Sequence, residues 1–476
     1  MKGSFNHPEN SAAAEPMFRN RAAQYALYSI CFGFFLVLLD TSALNVAMVS
    51  LERQFHENTS GLQWVVNSYT LVFASFLLTG GALGDRFGAK RWYQIGLLLF
   101  TAMSVASALA PNVGWLIAAR SLQGLGAALM LPGSLSLLSH AFPDAEQRAH
   151  AVGFWAGVVS LGFAAGPLLG GLLTHYLGWR SIFWINLPVG LLALWMNQRF
   201  VAEARAANPR PIDWPAQALI LLAMVSLNFG LIGAGESGWL TPVNVTAFVL
   251  TLVLVVAFLR VERRSASPVL PGSLFSHATF SVCVLLGGVL NFSMYGVLFI
   301  ESLYLQNVRH LGPLRTGLVI IPFTVLPTLT TRVIARYNGR DFIKLRLIGG
   351  QLLAAAGALF LGLALGQTGV TEILIGLGLL GVAMGCIMPA MTAGVLASAP
   401  PALSGVASGI LNAARQVGGT LGVALMGTLL ASAHDAGMIW SFGLTTVLFV
   451  IMAAVTRWYI PGPRRATGVV PASSMA

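Results

Sequence analysis

The chain has 476 residues, of which 56% are hydrophobic and only 9% are charged. A soluble domain carries about 25% charged residues, so this composition excludes a protein that turns most of its surface to water. The net charge of +11 is compatible with nucleic acid binding, but basic residues beside apolar segments are orientation signals in membrane proteins. We therefore expect a lipid bilayer, and no nucleic acid, around most of the surface.

Long apolar runs separated by short loops predict an all-α membrane protein. The alternating pattern of about ten residues that marks barrel strands is absent. A transmembrane helix needs roughly 20 apolar residues, and fourteen segments meet this requirement. In chain order, the predicted spans are 24–49, 62–81, 92–110, 114–138, 149–174, 181–199, 214–234, 240–260, 278–305, 313–334, 345–366, 372–396, 403–431 and 438–459.

The Lys and Arg residues fall mostly on one side of these spans. Residues at the span ends are counted with the adjoining loop. Of the 27 in the chain, 21 then lie in one set of loops together with both tails, four lie in the opposite set, and two, Arg120 and Arg415, lie inside spans. The positive-inside rule assigns the richer side to the cytoplasm. We therefore predict a multi-pass protein of the plasma (inner) membrane with both termini cytoplasmic.

Two similar loops suggest an internal repeat: GGALGDRFGAKR follows the second span, and TRVIARYNGR follows the tenth. Two parallel halves with a substrate site between them are a common transporter plan. We predict two six-helix bundles plus two extra central helices. The predicted units are a cytoplasmic tail at 1–23, a bundle at 24–200, a linker with the two extra helices at 201–277, a bundle at 278–460 and a cytoplasmic tail at 461–476.

Asp40 and Glu301 are the acidic residues that we place within spans, where ionisable residues are functional candidates by default. Asp40, in LLDTSALNVA, lies at a depth similar to that of Arg120 in the fourth span. The two residues could form a fixed ion pair that holds two helices together. Alternatively, Asp40 exchanges protons, because burial favours its neutral form while the guanidinium favours its charged form.

Glu301, near the outer end of the ninth span, has two interpretations. It is either an interfacial carboxylate in contact with water, or a second protonation site that can also anchor cationic substrates. Arg415 and Gln416 lie near the middle of the thirteenth span. Arg415 could bind substrate or close an ion pair, and a packing role is the alternative.

We expect the substrate cavity to mix apolar walls with a few polar groups, as ligand pockets commonly do. Packing and interfacial belts are the alternative explanation for its aromatic members. The candidate lining residues are Asn45, Asn67, Gln123, Phe292, Tyr295, Phe299, Arg415 and Gln416.

Glycines mark one face of the fifth span. Gly162, Gly166 and Gly170 recur every four residues, which lets another helix approach that face closely, and Pro167 bends the helix. Ordinary helix packing explains this pattern. The functional hypothesis adds only that the seam, which also contains Gly171, seals one mouth of a cavity.

The loop GALGDRFGAKR combines glycines that allow a tight turn with charges that can pair with or cap helix ends. Positive-inside topology alone explains its basic residues but not Asp85. The predicted gating loop consists of Gly81, Asp85, Arg86, Gly88, Lys90 and Arg91.

Patterns typical of catalysis and of metal binding are absent from the sequence. There is no GxxxxGK[ST] phosphate loop, and the eight histidines lie in tails, loops or span ends. The three cysteines lie in apolar segments without metal-ligand or disulfide spacing. We expect no enzymatic activity, no catalytic residues, no metal and no cofactor.

Four motifs in chain order resemble those of the major facilitator superfamily, and more narrowly of its fourteen-span drug:proton antiporters. GALGDRFGAKR is similar to the superfamily's loop 2–3 motif, RSLQGLGAALMLP to its span 4 motif, GFAAGPLLGG to the antiporter motif of span 5, and WRSIFWINLPVG to the start of span 6. The resemblance covers nearly the whole chain. It extends to methylenomycin-type antibiotic exporters through LNAARQVGG and ARYNG.

The resemblance implies alternating access of the rocker-switch type, driven by the proton gradient. It also implies that Asp85 latches the cytoplasmic side and that Arg120 couples protonation to the cavity. Two departures lie in span 1, where Ser42 replaces the usual threonine and Val49 the usual proline. Glu301 is not part of the family pattern, and the second-half loop lacks an acidic counterpart of Asp85.

The favoured hypothesis is a monomeric, proton-coupled antiporter that exports small amphipathic compounds such as drugs, antibiotics and dyes. The alternative is a proton symporter or uniporter for a metabolite such as an organic acid or sugar. A sensor or receptor would need a sizeable soluble domain, and no loop is long enough to form one.

Overall fold

The computed structural model describes residues 21–205, 213–265, 270–334, 343–364, 369–400 and 403–460. Within these ranges the regular structure is entirely helical, with fifteen α-helices and one π-helical turn. Their bounds are α1 Arg21–Phe55, α2 Thr59–Phe87, α3 Ala89–Ala108, α4 Val113–Ala141, α5 Ala145–Leu177, α6 Ser181–Trp184, α7 Asn186–Phe200, α8 Trp214–Ser237, α9 Pro242–Arg264, α10 Gly272–Phe275, α11 Ala278–Leu303 extended by the π-helical turn Tyr304–Val308, α12 Pro313–Ile334, α13 Ile343–Ala364, α14 Val370–Ser398 and α15 Ser404–Tyr459.

Eleven helices in the described part of the chain are long and apolar enough to cross a membrane. The other three predicted spans, 92–110, 181–199 and 403–431, correspond to α3, to α6 with α7, and to the first part of α15. The helical, multi-pass architecture is therefore confirmed, whereas the count of fourteen spans stays a prediction. The unit boundaries also stay predictions. The 335–339 loop and the tails, apart from 21–23, lie outside the described residues.

The sixth predicted span is divided into α6 and α7 at Ile185. Pro188 explains the division, because it has no amide hydrogen to donate to the carbonyl four residues earlier. Ile185 keeps right-handed helical dihedral angles (φ −62°, ψ −26°), so the chain direction is largely retained. The hydroxyl of Ser104 on α3 donates a hydrogen bond of 2.9 Å to the carbonyl of Phe183 at this break.

Helix α15 has 56 residues, which would give a length of about 84 Å if it were straight. A bilayer core is only about 30 Å thick. The chain instead turns back on itself. The contact of Gly437 with the carbonyl of Leu429, eight residues earlier, shows this turn, since a straight helix would keep the two residues about 12 Å apart. The turn lies where the sequence predicts the loop between the spans 403–431 and 438–459.

The buried apolar side chains form two cores. One consists of side chains from α1–α5, α7 and the segment that follows α7. The other runs from the ends of α1 and α2 near Leu51 and Leu62 into α11–α15. We call the end of the bundle at the α1–α2 junction the far end, and the end at the α2–α3 junction, with Arg86, Lys90 and Arg91, the basic end. Helices α1–α7 and α11–α15 share a core at the far end.

The extra helices α8 and α9 lie beside α2 and α15. Ser226 on α8 donates a hydrogen bond of 2.8 Å to the carbonyl of Ala247 on α9. On the opposite side of α8, Asn228 accepts a hydrogen bond of 3.3 Å from Asn67 on α2. Helix α9 is the outer member of the pair, since apolar side chains such as Leu252 are mostly exposed. Helix α8 therefore lies between α9 on one side and α2 and α15 on the other.

Candidate functional site

A buried ion pair joins α1 to α4. The guanidinium of Arg120 donates to the carboxylate of Asp40, and each residue is only 1% exposed. The other carboxylate oxygen of Asp40 accepts hydrogen bonds from the amides of Gln123 (3.2 Å) and Asn186 (3.0 Å). The sequence predicted that Asp40 and Arg120 lie at similar depth, and the structure shows them in direct contact.

The described partners of Arg120, apart from Asp40, are a neutral amide and two aromatic rings. Its guanidinium donates a hydrogen bond of 2.7 Å to Gln123, three residues along the same helix. The guanidinium carbon lies 4.3 Å from the ring centre of Tyr69 and 5.8 Å from that of Phe183. Aromatic faces at these distances attract a desolvated cation. Among the described residues, none accepts a hydrogen bond from its Nε atom.

Asn186 and Ser104 extend the network, and the sequence analysis did not select them. Asn186 donates both to Asp40 and to the hydroxyl of Ser104 (2.9 Å), and both residues are fully buried. The available signal was an asparagine inside the WRSIFWINLPVG motif, two residues before Pro188. Asp40 thus accepts hydrogen bonds from α4 and α7, and Ser104 links the network to α3.

The arrangement connects the charge of Asp40 to contacts between helices. While Asp40 is charged, Arg120, Gln123 and Asn186 all donate to it. A proton on Asp40 would leave a buried guanidinium without its counter-ion, and removing one partner of such a pair costs about 3–5 kcal/mol.

Glu301 on α11 is a second buried carboxyl group. It is 1% exposed, so the interpretation as an interfacial carboxylate in contact with water is wrong. Its burial follows from its position on α11, where every residue from Leu290 to Leu303 is buried. Within the described chain no group donates a hydrogen bond to its Oε2 atom, and no hydrogen bond joins it to the Asp40 network. Its role in protonation stays a prediction.

A cavity of about 580 Å³ opens at the basic end of the bundle. Helices α2 and α4 form one wall, the start of α15 forms the opposite wall, and Asp213 and Gln217 of the α8 segment contribute to the side. Gly81 and Asp85 of the predicted gating loop belong to the lining. The eight predicted substrate residues do not belong to it, so their role in substrate binding stays a prediction.

The predicted substrate residues lie deeper, at contacts between helices. Arg415 donates a hydrogen bond of 3.2 Å to Asn291 on α11, and Gln416 is 9% exposed. The ring of Tyr295 meets that of Phe163 on α5 at 6.4 Å. The remaining members are buried at helix contacts. Asn67 contacts α8, Phe292 and Phe299 contact α15, Gln123 donates to Asp40, and Asn45 donates to a carbonyl of its own helix.

The far end is closed by hydrogen bonds between the two groups of helices. Gln63 on α2 donates to the carbonyls of Val423 (3.0 Å) and Ala424 (2.6 Å) on α15. Ser302 on α11 donates to the carbonyl of Asn45 at 2.7 Å, and Gln306 donates to a carbonyl of α1 at 3.0 Å. All of these side chains are buried. The molecule is thus open at the basic end and closed at the far end.

The glycine face of α5 packs directly on α1. The position that a Cβ atom of Gly170 would take lies 2.5 Å from the carbonyl oxygen of Ala43, and that of Gly162 lies 2.7 Å from the carbonyl oxygen of Phe35. Gly166 packs on Ser42 in the same way. The absence of side chains is therefore what allows these two helices to touch.

The same helix meets α12 on another face. Gly171 lies against the backbone of Pro313, with only 2.7 Å between a Cβ atom placed there and the Pro313 carbonyl oxygen. Gly317 on α12 packs in return on the carbonyl of Pro167. The predicted seam thus joins α5 to both α1 and α12, and its part in sealing a mouth stays a prediction.

The gating loop is held by a residue that the sequence analysis missed. Glu203, just after α7, accepts a hydrogen bond of 2.9 Å from the backbone amide of Lys90, and the ammonium of Lys90 donates to the carbonyl of Gln198 at 3.1 Å. Gly88 has φ +111°, and a Cβ atom there would lie 2.7 Å from the Glu203 carboxylate. Glycine is therefore required at this turn.

Comparison with known proteins identifies the family. Residues 30–423 match the family model described as Major Facilitator Superfamily. The chain belongs to this superfamily. The resemblance inferred from the four motifs is therefore confirmed, and the protein is a multi-pass membrane transporter.

Relatives of this transporter carry names of resistance and export proteins. It is 34% identical to the methylenomycin A resistance protein of Streptomyces coelicolor over 451 residues, 94% of each chain. It is 35% identical to the multidrug resistance protein Stp of Mycobacterium tuberculosis over 413 residues, 87% of this chain and 77% of that one. It is 36% identical to the tetracenomycin C resistance and export protein of Streptomyces glaucescens, over 85% of this chain and 76% of that one.

Solved structures agree in fold. A POT family transporter crystallised with 5-aminolevulinic acid superposes on this transporter with a TM-score of 0.70, covering 93% of this chain and 97% of that one. The sequence identity is only 14%. The likeness therefore describes the helical architecture alone.

Proposed function

We propose that this transporter is a fourteen-span, proton-coupled antiporter that exports small amphipathic compounds by alternating access of the rocker-switch type. The observation that carries the proposal is the buried ion pair of Asp40 with Arg120. Proton coupling requires a carboxyl group that can be charged or neutral and whose state alters the packing of helices. Asp40 meets both conditions through its contacts with α4 and α7.

The coupling follows from the donors around Asp40. In the charged state, three side chains donate to its carboxylate and hold α1, α4 and α7 together. Protonation weakens this attachment and leaves Arg120 in need of another acceptor. Asp40 therefore binds a proton more tightly in a helix arrangement in which Arg120 has another acceptor. Because the proton prefers that arrangement, its binding shifts the equilibrium toward it.

Export requires a loading site on the cytoplasmic side, and the cavity together with the charge bias supplies one. The cavity opens at the basic end, which the positive-inside rule assigns to the cytoplasm. An exporter loads its substrate there, and the hydrogen bonds of Gln63 keep the far end closed meanwhile. In this proposal both termini are cytoplasmic and the protein acts as a monomer in the plasma (inner) membrane, with protons and a small molecule as its partners.

In this proposal the gating loop latches the cytoplasmic mouth, and the glycine contact of α5 with α12 is the pivot of the rocking motion. Asp85 lines the mouth of the cavity, so it is placed to bind the opposite helices when the mouth closes. Helices α5 and α12 touch through Gly171 and Gly317 without intervening side chains. A smooth contact of this kind permits rocking with little change in packing.

The substrate class is supported by the names of the relatives. Proteins named for resistance to methylenomycin A and for export of tetracenomycin C align with most of this chain. We extend to this transporter the export of antibiotics, drugs and dyes. Glu301 is proposed as a second protonation site or an anchor for cationic substrates, since its carboxyl group is buried without a described donor to Oε2.

Everted membrane vesicles under an imposed proton gradient test the proposal. With an acidic lumen, we expect a fluorescent cationic dye to accumulate inside while the luminal pH rises, because the two fluxes are opposed. Vesicles without the transporter are the control. Equilibration of the dye without accumulation would indicate a uniporter, and dye and protons moving in the same direction would indicate a symporter. Either result would contradict antiport.

A further inference from the structure

A second cavity of about 250 Å³ lies between α8 and the helices α2 and α15, next to the larger cavity. Its walls come from α2, α8, α9, α10, α11 and α15. Of its fifteen lining residues, Ser75 and Gln217 are polar and all others are apolar, among them Ile220, Met224 and Phe258. The cavity therefore favours hydrocarbon over water.

The two cavities share a thin wall. Leu78 on α2 and Gln217 on α8 line both of them. The hydroxyl of Thr79 donates a hydrogen bond of 2.7 Å to the amide oxygen of Gln217, which fixes that side chain at the junction. Within the described chain, no residue accepts a hydrogen bond from the amide nitrogen of Gln217. A polar guest in the larger cavity can therefore use this donor.

We propose that the smaller cavity, which we call the side pocket, binds the apolar part of the transported amphiphile while its polar part stays in the larger cavity. The inference rests on the proposed export function. Asp85, Asp213 and Asn412 place polar groups among the apolar lining of the larger cavity, whereas the side pocket offers almost only hydrocarbon. A molecule with one polar and one apolar end matches this division across the shared wall.

The side pocket gives the two extra helices a function. Helix α8 is attached to α2 through Asn228 and to α15 through Thr428, whose hydroxyl donates at 2.7 Å to the carbonyl of Leu231. It thus covers the seam between α2 and α15. Without α8 and α9, the apolar side chains of that seam would face lipid and form no pocket.

A series of alkyltrimethylammonium salts of increasing chain length is a suitable probe. The head group is constant, and each buried methylene contributes about 0.8 kcal/mol, or roughly fourfold in affinity. Binding is measured by calorimetry on the purified transporter in lipid nanodiscs, with empty nanodiscs subtracted. No proton gradient is needed, so the outcome is independent of whether the protein pumps by antiport.

Ile220→Trp fills the side pocket. We expect affinity for long chains to fall by about tenfold and affinity for the shortest member to change less than about twofold, because only the long chains enter the pocket. Leu222→Trp is the matched control, since Leu222 lies two residues along α8 and is 52% exposed. It should keep the wild-type dependence on chain length.

Ile220→Ala provides the opposite change and covers the case in which the tryptophan variant does not fold. It enlarges the pocket, so the chain length of tightest binding should increase by one or two methylenes. An unchanged optimum in a folded Ile220→Ala variant would overturn the proposal. A phospholipid that stays bound in native mass spectra at saturating amphiphile would also overturn it, because the pocket would then be a lipid site.

Discussion

At the scale of single residues, Asp40 combines burial with the capacity to change charge. Its neighbours are arranged for the charged form, since Arg120, Gln123 and Asn186 are all donors. An asparagine in its place keeps the volume but removes both the charge and the proton. The substitution therefore tests whether efflux needs a group that can gain and lose a proton at this position.

We predict that Asp40→Asn abolishes uphill, gradient-driven efflux in everted vesicles. Because Arg120 then lacks its counter-ion, the variant should also lose up to about 3–5 kcal/mol of stability, seen as a lower Tm. The double variant Asp40→Asn with Arg120→Gln should regain much of the Tm but not the efflux. Normal uphill pumping by the single variant would disprove the coupling role.

The sequence predicted the pairing of Asp40 with Arg120 because charges in lipid must find each other, and few candidates existed. It did not predict Asn186 or Ser104. Their contact joins residues 82 positions apart, and polar uncharged side chains in a span can be satisfied locally, as Thr41 is by its own helix. Only the packing of α3 against α7 decides between these outcomes.

At the scale of helices, the glycines of α5 differ sharply in their surroundings. Gly162, Gly166 and Gly170 lie against the backbone or side chains of α1, whereas a Cβ atom at Gly153 or Gly157 would meet nothing within 4 Å. The same helix therefore contains glycines that are required for packing and glycines that are not.

We predict that Gly170→Ala pushes α5 away from α1, lowers stability by about 1–3 kcal/mol and reduces dye efflux by about tenfold or more. Gly157→Ala is the matched control on the same helix. It should be neutral or slightly stabilising, since alanine is the better helix former by about 1 kcal/mol. Thermal unfolding and vesicle transport measure both effects, and equal behaviour of the two variants would contradict the packing account.

The elements themselves follow well from hydropathy, because apolar length is what a bilayer selects. The exceptions have local causes. The span at 181–199 is divided at Ile185 because of Pro188, and the spans at 403–431 and 438–459 form one continuous α15 with a sharp turn. Glu203 was missed because its role depends on the backbone of the loop after α2, to which it is connected only by the fold.

At the scale of the whole molecule, the two ends of the helix bundle differ. The far end is closed by Gln63, Ser302 and Gln306, while the basic end contains the large cavity. The cavity was not predicted from the sequence, because its lining depends on how the helix groups tilt apart. The predicted residues lie deeper, where the groups remain in contact.

We predict that Gln63→Leu shifts the transporter toward a state open at the far end, because each lost hydrogen bond weakens the closure by about 1 kcal/mol. A Ser136→Cys reporter in the basic-end cavity should then react at least about twofold more slowly with an impermeant maleimide in everted vesicles. Ser60→Ala is the control on the same helix, since the buried hydroxyl of Ser60 has no described hydrogen-bond partner. It should leave the labelling rate unchanged. Unchanged labelling in Gln63→Leu would contradict a role in closure.

The direct contact of backbones along α5 also limits how this protein can evolve. Any substitution at Gly166, Gly170 or Gly171 adds an atom where Ser42, Ala43 or Pro313 already stands. Under the proposed export function, we therefore expect inherited changes in substrate range to arise elsewhere, at wall positions such as Ile220 and Met224, where a side chain borders a cavity. A mutational scan selected on different compounds should find no tolerated substitution at the seam glycines and many at the cavity walls.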